Sequence, residues 1–249
     1  MKLLTAPTAN PKVAKGLDSS YANYILHLAP ADLSGYETCP KRTAGCTAAC
    51  LNTAGRGGLI KKGETTNNIQ KARIRKTKLF FEDRATFMAQ LVKDIELGIK
   101  QSLNKNLIPV FRLNGTSDLQ WIKYPVTRFG IQFSNVFQAF PEVTFYDYTA
   151  VINKNNLNIP NYHLTFSSKE SNTDDVNKAI ELGMNVAVVF GEKVLPTEYL
   201  GRPVINADKN DLRFLDPKGV ICGLIAKGRA KKDTSGFVKY PQFELKKVA

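Results

Sequence analysis

Apolar residues follow two rhythms along the chain. Short runs of β-branched and aromatic residues, bounded by Gly, Pro, Asn or Asp, predict strands. Longer stretches with apolar residues at every third or fourth place predict helices. "YANYILHLAP" (Tyr21 to Pro30) is the first clear strand, stopped by its proline. "TTNNIQKARIRKTKLFF" opens on Thr and Asn, good helix N-caps, and predicts a basic helix. "EDRATFMAQLVKDIELGIKQSLNKN" predicts a second. Met88, Val92, Ile95 and Ile99 recur there at helical spacing, and Glu82 and Asp83 suit its first turn. "LIPVFRLNGTSD" (Leu107 to Asp118) reads as a buried strand emptying into a polar turn, and "IQFSNVFQAFPE" as a helix ending near Pro141.

The second half repeats the alternation. "VTFYDYTAV" (Val143 to Val151) and "NYHLTFSSKE" (Asn161 to Glu170) are strand-like. "NTDDVNKAIELGM" is a short helix with Gly183 at its end. "NVAVVF" (Asn185 to Phe190) is apolar throughout, as a strand covered on both faces must be. "PVINADKNDLRFLDPKGVICGLIAKG" gives a strand, an Asp-rich turn and another apolar segment. Strands alternating with helices predict right-handed crossovers and a largely parallel sheet. Six or seven such units suit an α/β fold: a complete or partial (β/α) barrel, TIM-like, with mostly parallel strands. A doubly wound open sheet is the alternative, weakened because no G-x-G-x-x-G follows the first strand. No linker or low-complexity stretch divides the chain. Residues 1–249 therefore read as one α/β barrel domain with a Cys-containing loop at 36–58 and a basic C-terminal tail.

Composition narrows the class. At 43% hydrophobic, the 249 residues can bury a core without staples. No apolar run approaches the length of a membrane span, so a membrane partner is not expected. "MKLLTAPTA" has the look of a signal peptide, but its apolar core is too short and Pro7 interrupts it. A cytoplasmic location follows. The net charge of +13 favours an acidic partner, most simply nucleic acid. The densest basic stretches are "KARIRKTK", with Lys71, Arg73, Arg75, Lys76 and Lys78, and "AKGRAKK" (Ala226 to Lys232). No aromatic-interleaved RNA-binding signature accompanies them, and a merely solubilising basic surface is the competing reading.

In a β/α barrel the chemistry sits at the carboxyl ends of the strands. There this sequence places Asn114, Thr116, Ser117 and Asp118, then Asp147, Tyr148 and Thr149, then Ser167, Ser168, Lys169 and Glu170, and finally Asn206, Asp208, Asp211 and Arg213. "NGTSD" is also an ordinary turn composition. Asp147, inside an apolar strand, needs a partner or a wet mouth. Arg213 and Asp216 read as a structural ion pair, and His27 and His163 as satisfied core or rim histidines.

"YETCPKRTAGCTAACLNTAGRGG" (Tyr36 to Gly58) holds Cys39, Cys46 and Cys50 with the spacing C-x6-C-x3-C. A reducing compartment disfavours a disulfide. Zinc is one alternative, with His27 or Cys222 as a fourth ligand, although the paired C-x-x-C knuckles of a zinc ribbon are absent. Three thiolates can instead hold three irons of a [4Fe–4S] cube and leave the fourth open, with Lys41 and Arg42 placed to favour the thiolates. Inert free cysteines complete the alternatives.

A strand, a three-cysteine loop, a helix and a strand ending in a small-polar-acid turn resemble the radical S-adenosylmethionine barrel superfamily. That resemblance implies cluster binding by Cys39, Cys46 and Cys50. It also implies contacts from Asn114, Ser117 and Asp118 to the methionine end of S-adenosylmethionine, and from Asp147 or Ser167 to its ribose. The superfamily's usual spacing, C-x3-C-x2-C, is shorter than this loop. "CP…C…C" followed by "NTAGRG", then "VFRLNGTSDL", "FYDYT" and "DLRFLDPKGVICGLIAKGRA", more closely resembles the Gene product 88 family of phage proteins from about Tyr21 to Lys232. That likeness implies a phage origin, a barrel and the host cytoplasm. Two functions follow as expectations. One is a phage iron–sulfur protein, radical S-adenosylmethionine-like, acting on an acidic substrate such as nucleic acid through Lys71, Arg73, Arg75, Lys76 and Lys78. The other is a non-catalytic basic nucleic-acid-binding accessory protein with a structural metal or none.

Overall fold

Seven parallel strands form the centre of a nine-stranded sheet. A computed structural model of the chain describes residues 1–8, 11–153 and 157–241; the basic end of the tail, 242–249, lies outside the described residues. In chain order the strands begin with β1 (Leu4–Thr5), β2 (Tyr21–Leu26) and β3 (Ile108–Arg112). A separate antiparallel hairpin follows, β4 (Val126–Arg128) with β5 (Ile131–Phe133). Then come β6 (Thr144–Thr149), β7 (Tyr162–Ser167), β8 (Asn185–Phe190), β9 (Glu198–Tyr199), β10 (Arg202–Asn206) and β11 (Ile221–Ile225). The spatial order is β1-β2-β3-β6-β7-β8-β11-β10-β9.

Winding is sequential from β2 to β8. The chain then runs on to β10 and returns to insert β11 between β8 and β10, parallel to both. The edges are antiparallel: β1 pairs with β2, and β9 with β10. The α/β class and the mostly parallel sheet expected of a complete or partial barrel are present, and among the described residues no closed barrel is found. Closure would need the β1 edge to meet the β9 edge, and among the described residues no such pairing exists. Eight repeated βα units are also missing, since a hairpin and one helical turn connect β3 to β6.

Short helices α1 (Pro11–Ala14) and α2 (Ala44–Ala48) precede the two long ones. These are α3 (Asn68–Glu82) and α4 (Arg84–Leu103). Asn67 starts α3 by accepting from Gln70 N at 3.0 Å, and Asp83 starts α4 by accepting from Thr86 N at 3.1 Å. The helix expected over "IQFSNVFQAFPE" is instead β5 followed by α5 (Val136–Ala139), because Asn135 caps a new turn by accepting from Gln138 N at 3.1 Å. The last helix, α6 (Thr173–Glu181), ends ahead of Gly183 at φ 77°.

The two faces of the sheet differ. Tyr24, Phe111, Phe145 and Tyr162 pack on Phe80, Phe87, Leu91 and Ile95 of α3 and α4. Phe166, Val186, Val188 and Ile221 pack on Val176 and Ala179 of α6. The opposite face has neither long helix on it. Val110 and Tyr146 meet Leu212 and Phe214, while Ala187 and Cys222 meet Ala207, so the segment from Ala207 to Asp216 lies over this side. Parallel strands put all their carboxyl ends at one edge, and there the Cys loop follows β2.

Candidate functional site

The Cys loop is held by its neighbours. After β2, Thr38 Oγ1 donates to Ala29 O at 2.7 Å, and Asp118 N donates to Thr38 O at 2.8 Å. Thr116 Oγ1 donates to Leu28 O at 2.5 Å, so the "NGTSD" turn after β3 is pinned to the start of the loop. Residues after β7 hold its middle. Lys169 Nζ donates to the Lys41 carbonyl. Glu170 accepts from Thr43 Oγ1 at 2.7 Å and from Gly45 N at 2.6 Å. Thr43 in turn accepts from Cys46 N at 3.3 Å, so a carboxylate and a hydroxyl together cap α2, the turn that carries Cys46. Asn67 and Gln70 of α3 hold the far end, donating to the carbonyls of Arg56, Gly57 and Leu59. Glycine is required inside this frame. A Cβ on Gly58 would lie 2.1 Å from Thr53 O, and one on Gly45 would lie 2.0 Å from Ser235 Oγ.

Cys39, Cys46 and Cys50 are all free and half-buried. Cys39 Sγ accepts from Ala31 N at 3.5 Å and Cys50 Sγ from Asn52 N at 3.5 Å. Burial raises all three thiol pKa values, that of Cys50 to about 11. Two of them also feel neighbours from the set: Cys46 acts on Cys39, and Cys46 and Cys39 both act on Cys50. The opposing cations are Lys169, which favours the Cys46 thiolate, and Arg73, which favours that of Cys50. Arg42 does not serve here; it pairs outward with Asp32 at 3.0 Å and Glu37 at 2.7 Å. The half-buried Arg73 donates to Asn52 Oδ1 at 2.5 Å.

Among the described residues no three Cys, His, Asp or Glu side chains form a set able to hold a single metal ion. Donors around one zinc ion would sit roughly 3.8 Å apart, from a metal–sulfur distance of about 2.3 Å. A [4Fe–4S] cube asks less of its ligands, since each thiolate binds a different iron. Three thiols within electrostatic reach of one another, with no fourth, fit that donor set in number and kind. Cys222 is buried on the helix-free face and donates to Asp216 Oδ2 at 3.4 Å, away from the loop.

The residues predicted to bind S-adenosylmethionine are largely committed elsewhere. Asn114 Oδ1 accepts from Ser117 Oγ, Leu119 N and Trp121 Nε1 at 3.0, 3.0 and 3.1 Å. Asp118 accepts from Thr149 Oγ1 at 2.7 Å and Ala150 N at 2.9 Å, tying the turn to the end of β6. Asp147 is fully buried on the helix side, accepting from Asn114 N at 2.6 Å and Tyr162 OH at 3.0 Å. Burial pushes its pKa up to about 7. Ser167 is half-buried at the end of β7, where its carbonyl accepts from Asn172 Nδ2 at 3.0 Å.

The basic helix divides. Lys71, Arg75 and Lys78 are exposed along one side of α3, whereas Lys76 is buried and donates to Leu3 O at 2.5 Å, and Arg73 turns to the Cys loop. The second basic stretch arrives beside the same loop. Its turn Gly228–Lys232 packs on Leu51–Thr53, with Arg229, Lys231 and Lys232 exposed. A shallow groove of about 500 Å³ runs between Ala44–Ala49 of the loop and Arg229–Ser235. Arg213 and Asp216 form the expected ion pair at 3.1 Å. His27 departs from expectation, because its buried Nδ1 has no hydrogen-bond partner among the described residues.

The family model described as Gene product 88 matches residues 2–241. No curated protein and no solved structure matches the chain. The likeness to the radical S-adenosylmethionine superfamily is supported by none of these comparisons.

Proposed function

We propose that this chain, which belongs to the Gene product 88 family of phage proteins, is an iron–sulfur protein acting on an acidic polymer such as nucleic acid. The observation that carries the reading is a convergence. Three half-buried thiols lie on the loop after the first long parallel strand, and the exposed cations of both basic stretches flank that loop. Cys39, Cys46 and Cys50 are the ligands. Arg73 and Lys169 favour their thiolates, and the N–H groups of Ala31 and Asn52 donate to sulfur. Lys71, Arg75, Lys78, Arg229, Lys231 and Lys232 hold phosphates at the rim. A [4Fe–4S] cluster held there by the three thiolates would supply one-electron chemistry. The protein's own part is to orient the loop, through Glu170, Thr43 and Lys169, and to bring phosphates to it.

A second reading rests on the exposed cations of the rim alone. In it the protein is a non-catalytic accessory factor whose rim binds nucleic acid, and the thiols hold a structural metal or none. Anaerobic purification with iron and acid-labile sulfide analysis separates the two. The first reading expects both in comparable amounts, approaching about four per chain, with loss in Cys46→Ala. Colourless protein without sulfide after reconstitution refutes it. Binding of single-stranded DNA and RNA, followed by fluorescence anisotropy against salt, tests the rim. Lys71→Gln, Arg75→Gln and Lys78→Gln together should flatten the log–log salt slope by about 2–3. An unchanged slope removes this helix from the interface.

A further inference from the structure

Seven buried side-chain nitrogen and oxygen atoms lack a hydrogen-bond partner among the described residues. Two of them face carboxylates all the same: Arg128 Nε is 3.5 Å from Glu96, and Arg213 Nη1 is 3.1 Å from Asp216. The other five are Asn23 Oδ1, His27 Nδ1, Arg112 Nε, Tyr148 OH and Arg213 Nε. All five lie in one region, on or against the sheet face that neither long helix covers.

Their connections define the place. Asn23 of β2 donates to Tyr146 OH at 2.5 Å, and Tyr146 of β6 donates to Asp211 at 3.2 Å. Asp211 also accepts from Arg112 Nη1 of β3 at 2.9 Å, and the Arg112 guanidinium lies 4.7 Å from the Tyr148 ring centre. Strand register puts Ile25 beside Arg112, so His27, two residues on, shares their face. Arg213 comes from the covering segment, and its charge acts on Tyr148. Towards the carboxyl edge His27, Tyr148, Ser167, Val189 and Leu224 are each half-buried, with the unmet atoms themselves lying below the surface.

Buried donors left dry are costly, and native proteins leave few. Here the unmet groups are mostly donors: two guanidinium N–H groups and a phenol O–H, against one amide oxygen. The complementary partner is a ligand rich in acceptor oxygens. We propose that this face, which neither long helix covers, binds an oxyanion group of a small molecule, a carboxylate or a phosphate, through Arg112, Tyr148, Arg213 and His27. Asp211 and Asp216 hold the two guanidinium groups in place without using their Nε donors.

This site does not depend on a metal at the thiols, so it is tested in full-length Cys46→Ala as well as in the unaltered chain. Isothermal titration and thermal melts with inorganic phosphate and, separately, with succinate should show saturable binding of one of them below roughly 10 mM. Phosphate alone assigns a phosphorylated ligand, and succinate alone a carboxylate. Tyr148→Phe removes one unmet hydroxyl, so the free variant should melt no lower than the parent while binding about tenfold more weakly. Arg112→Gln should weaken binding further, but it strands Asp211, so Tyr148→Phe is the deciding variant. Absence of saturable binding to either anion, or Tyr148→Phe binding as tightly as the parent, overturns the proposal and leaves only ordered water for these groups.

Discussion

Two buried titratable groups oppose each other across the same pH range, and replacing one should expose the other. Burial raises Asp147 from 3.8 to about 7, although Arg112, Asn114 N and Tyr162 OH pull it back. Burial, with Arg73, Arg112 and Lys76 nearby, lowers His27 from 6.5 to about 3. Between about pH 4 and 7 the folded chain keeps the Asp147 proton that the unfolded chain has lost, so this group makes stability fall as pH rises. Between about pH 3 and 6.5 the unfolded chain protonates His27 while the folded chain does not, so this group makes stability rise with pH. Each slope is about 1.4 kcal/mol per pH unit where the folded and unfolded states differ by a whole proton. Over the shared window, about pH 4 to 6.5, the two nearly cancel. Asp147→Asn keeps an acceptor for Asn114 N and supplies a donor for Tyr162 OH. It should unmask a rise of about 3 kcal/mol across that window. His27→Gln should unmask a fall of similar size, and the double variant should restore the parent profile. Urea unfolding at intervals from about pH 4 to 8 reads these differences directly, since all other groups contribute alike to the four proteins. Single-variant profiles parallel to the parent would refute the assignment of both shifts to burial.

Two further outcomes test how the loop is held. Glu170→Ala strips the caps on Thr43 and Gly45 N and should cost about 1–3 kcal/mol while speeding alkylation of Cys46 by iodoacetamide; an unchanged alkylation rate would show that Glu170 does not hold the loop. Gly45→Ala would place a Cβ 2.0 Å from Ser235 Oγ and 2.8 Å from Glu170 Oε1, costing about 1–3 kcal/mol in a thermal melt, with partial rescue by Ser235→Ala; a neutral Gly45→Ala would contradict the close packing of the C-terminal segment on α2.

Local pattern made β2, β3, β6, β7, β8, α3, α4 and α6 legible, because each combines a strong period with a stop residue at its end. The edge strands β1 and β9 have two residues each, too few for any period. The β4–β5 hairpin did carry a signal. Phe129 and Gly130 both take positive φ, 53° and 77°, as a tight two-residue turn requires, but the flanking strands are short and half polar. Open or closed could not be read from local pattern, since closure depends on whether two edges distant in sequence meet. At the site, the polar character of the strand ends was legible, but the partner of each residue was not. Arg73 belongs to a basic run, yet helical phase turns it inward to Asn52 while Lys71, Arg75 and Lys78 face solvent. Tyr146 and Tyr148 alternate with Asp147 in "FYDYT", which already separates them onto opposite faces. That alternation could have pointed to the second polar face with Arg112.

A polar residue at the mouth of a parallel sheet is a weak clue to binding until its hydrogen-bonding capacity is counted. Asn114, Asp118, Lys169 and Glu170 sit where ligands of α/β proteins gather, and each has contacts that tie one loop to another. Removing such a residue would abolish function whether or not it touches a ligand, so loss of activity alone could not identify it as a binding group. The informative residues are those with capacity left over. The three thiols, half-buried and without a disulfide among them, form one such set. The Nε of Arg112 and the hydroxyl of Tyr148 are others. They fall into two groups, thiols on the loop and donors on the sheet face that neither long helix covers, and a substrate spanning both would carry an oxyanion at one end and its reacting atoms at the other. If the two groups serve one reaction, filling the oxyanion site with phosphate or succinate should slow alkylation of the loop cysteines. Independent sites predict no change.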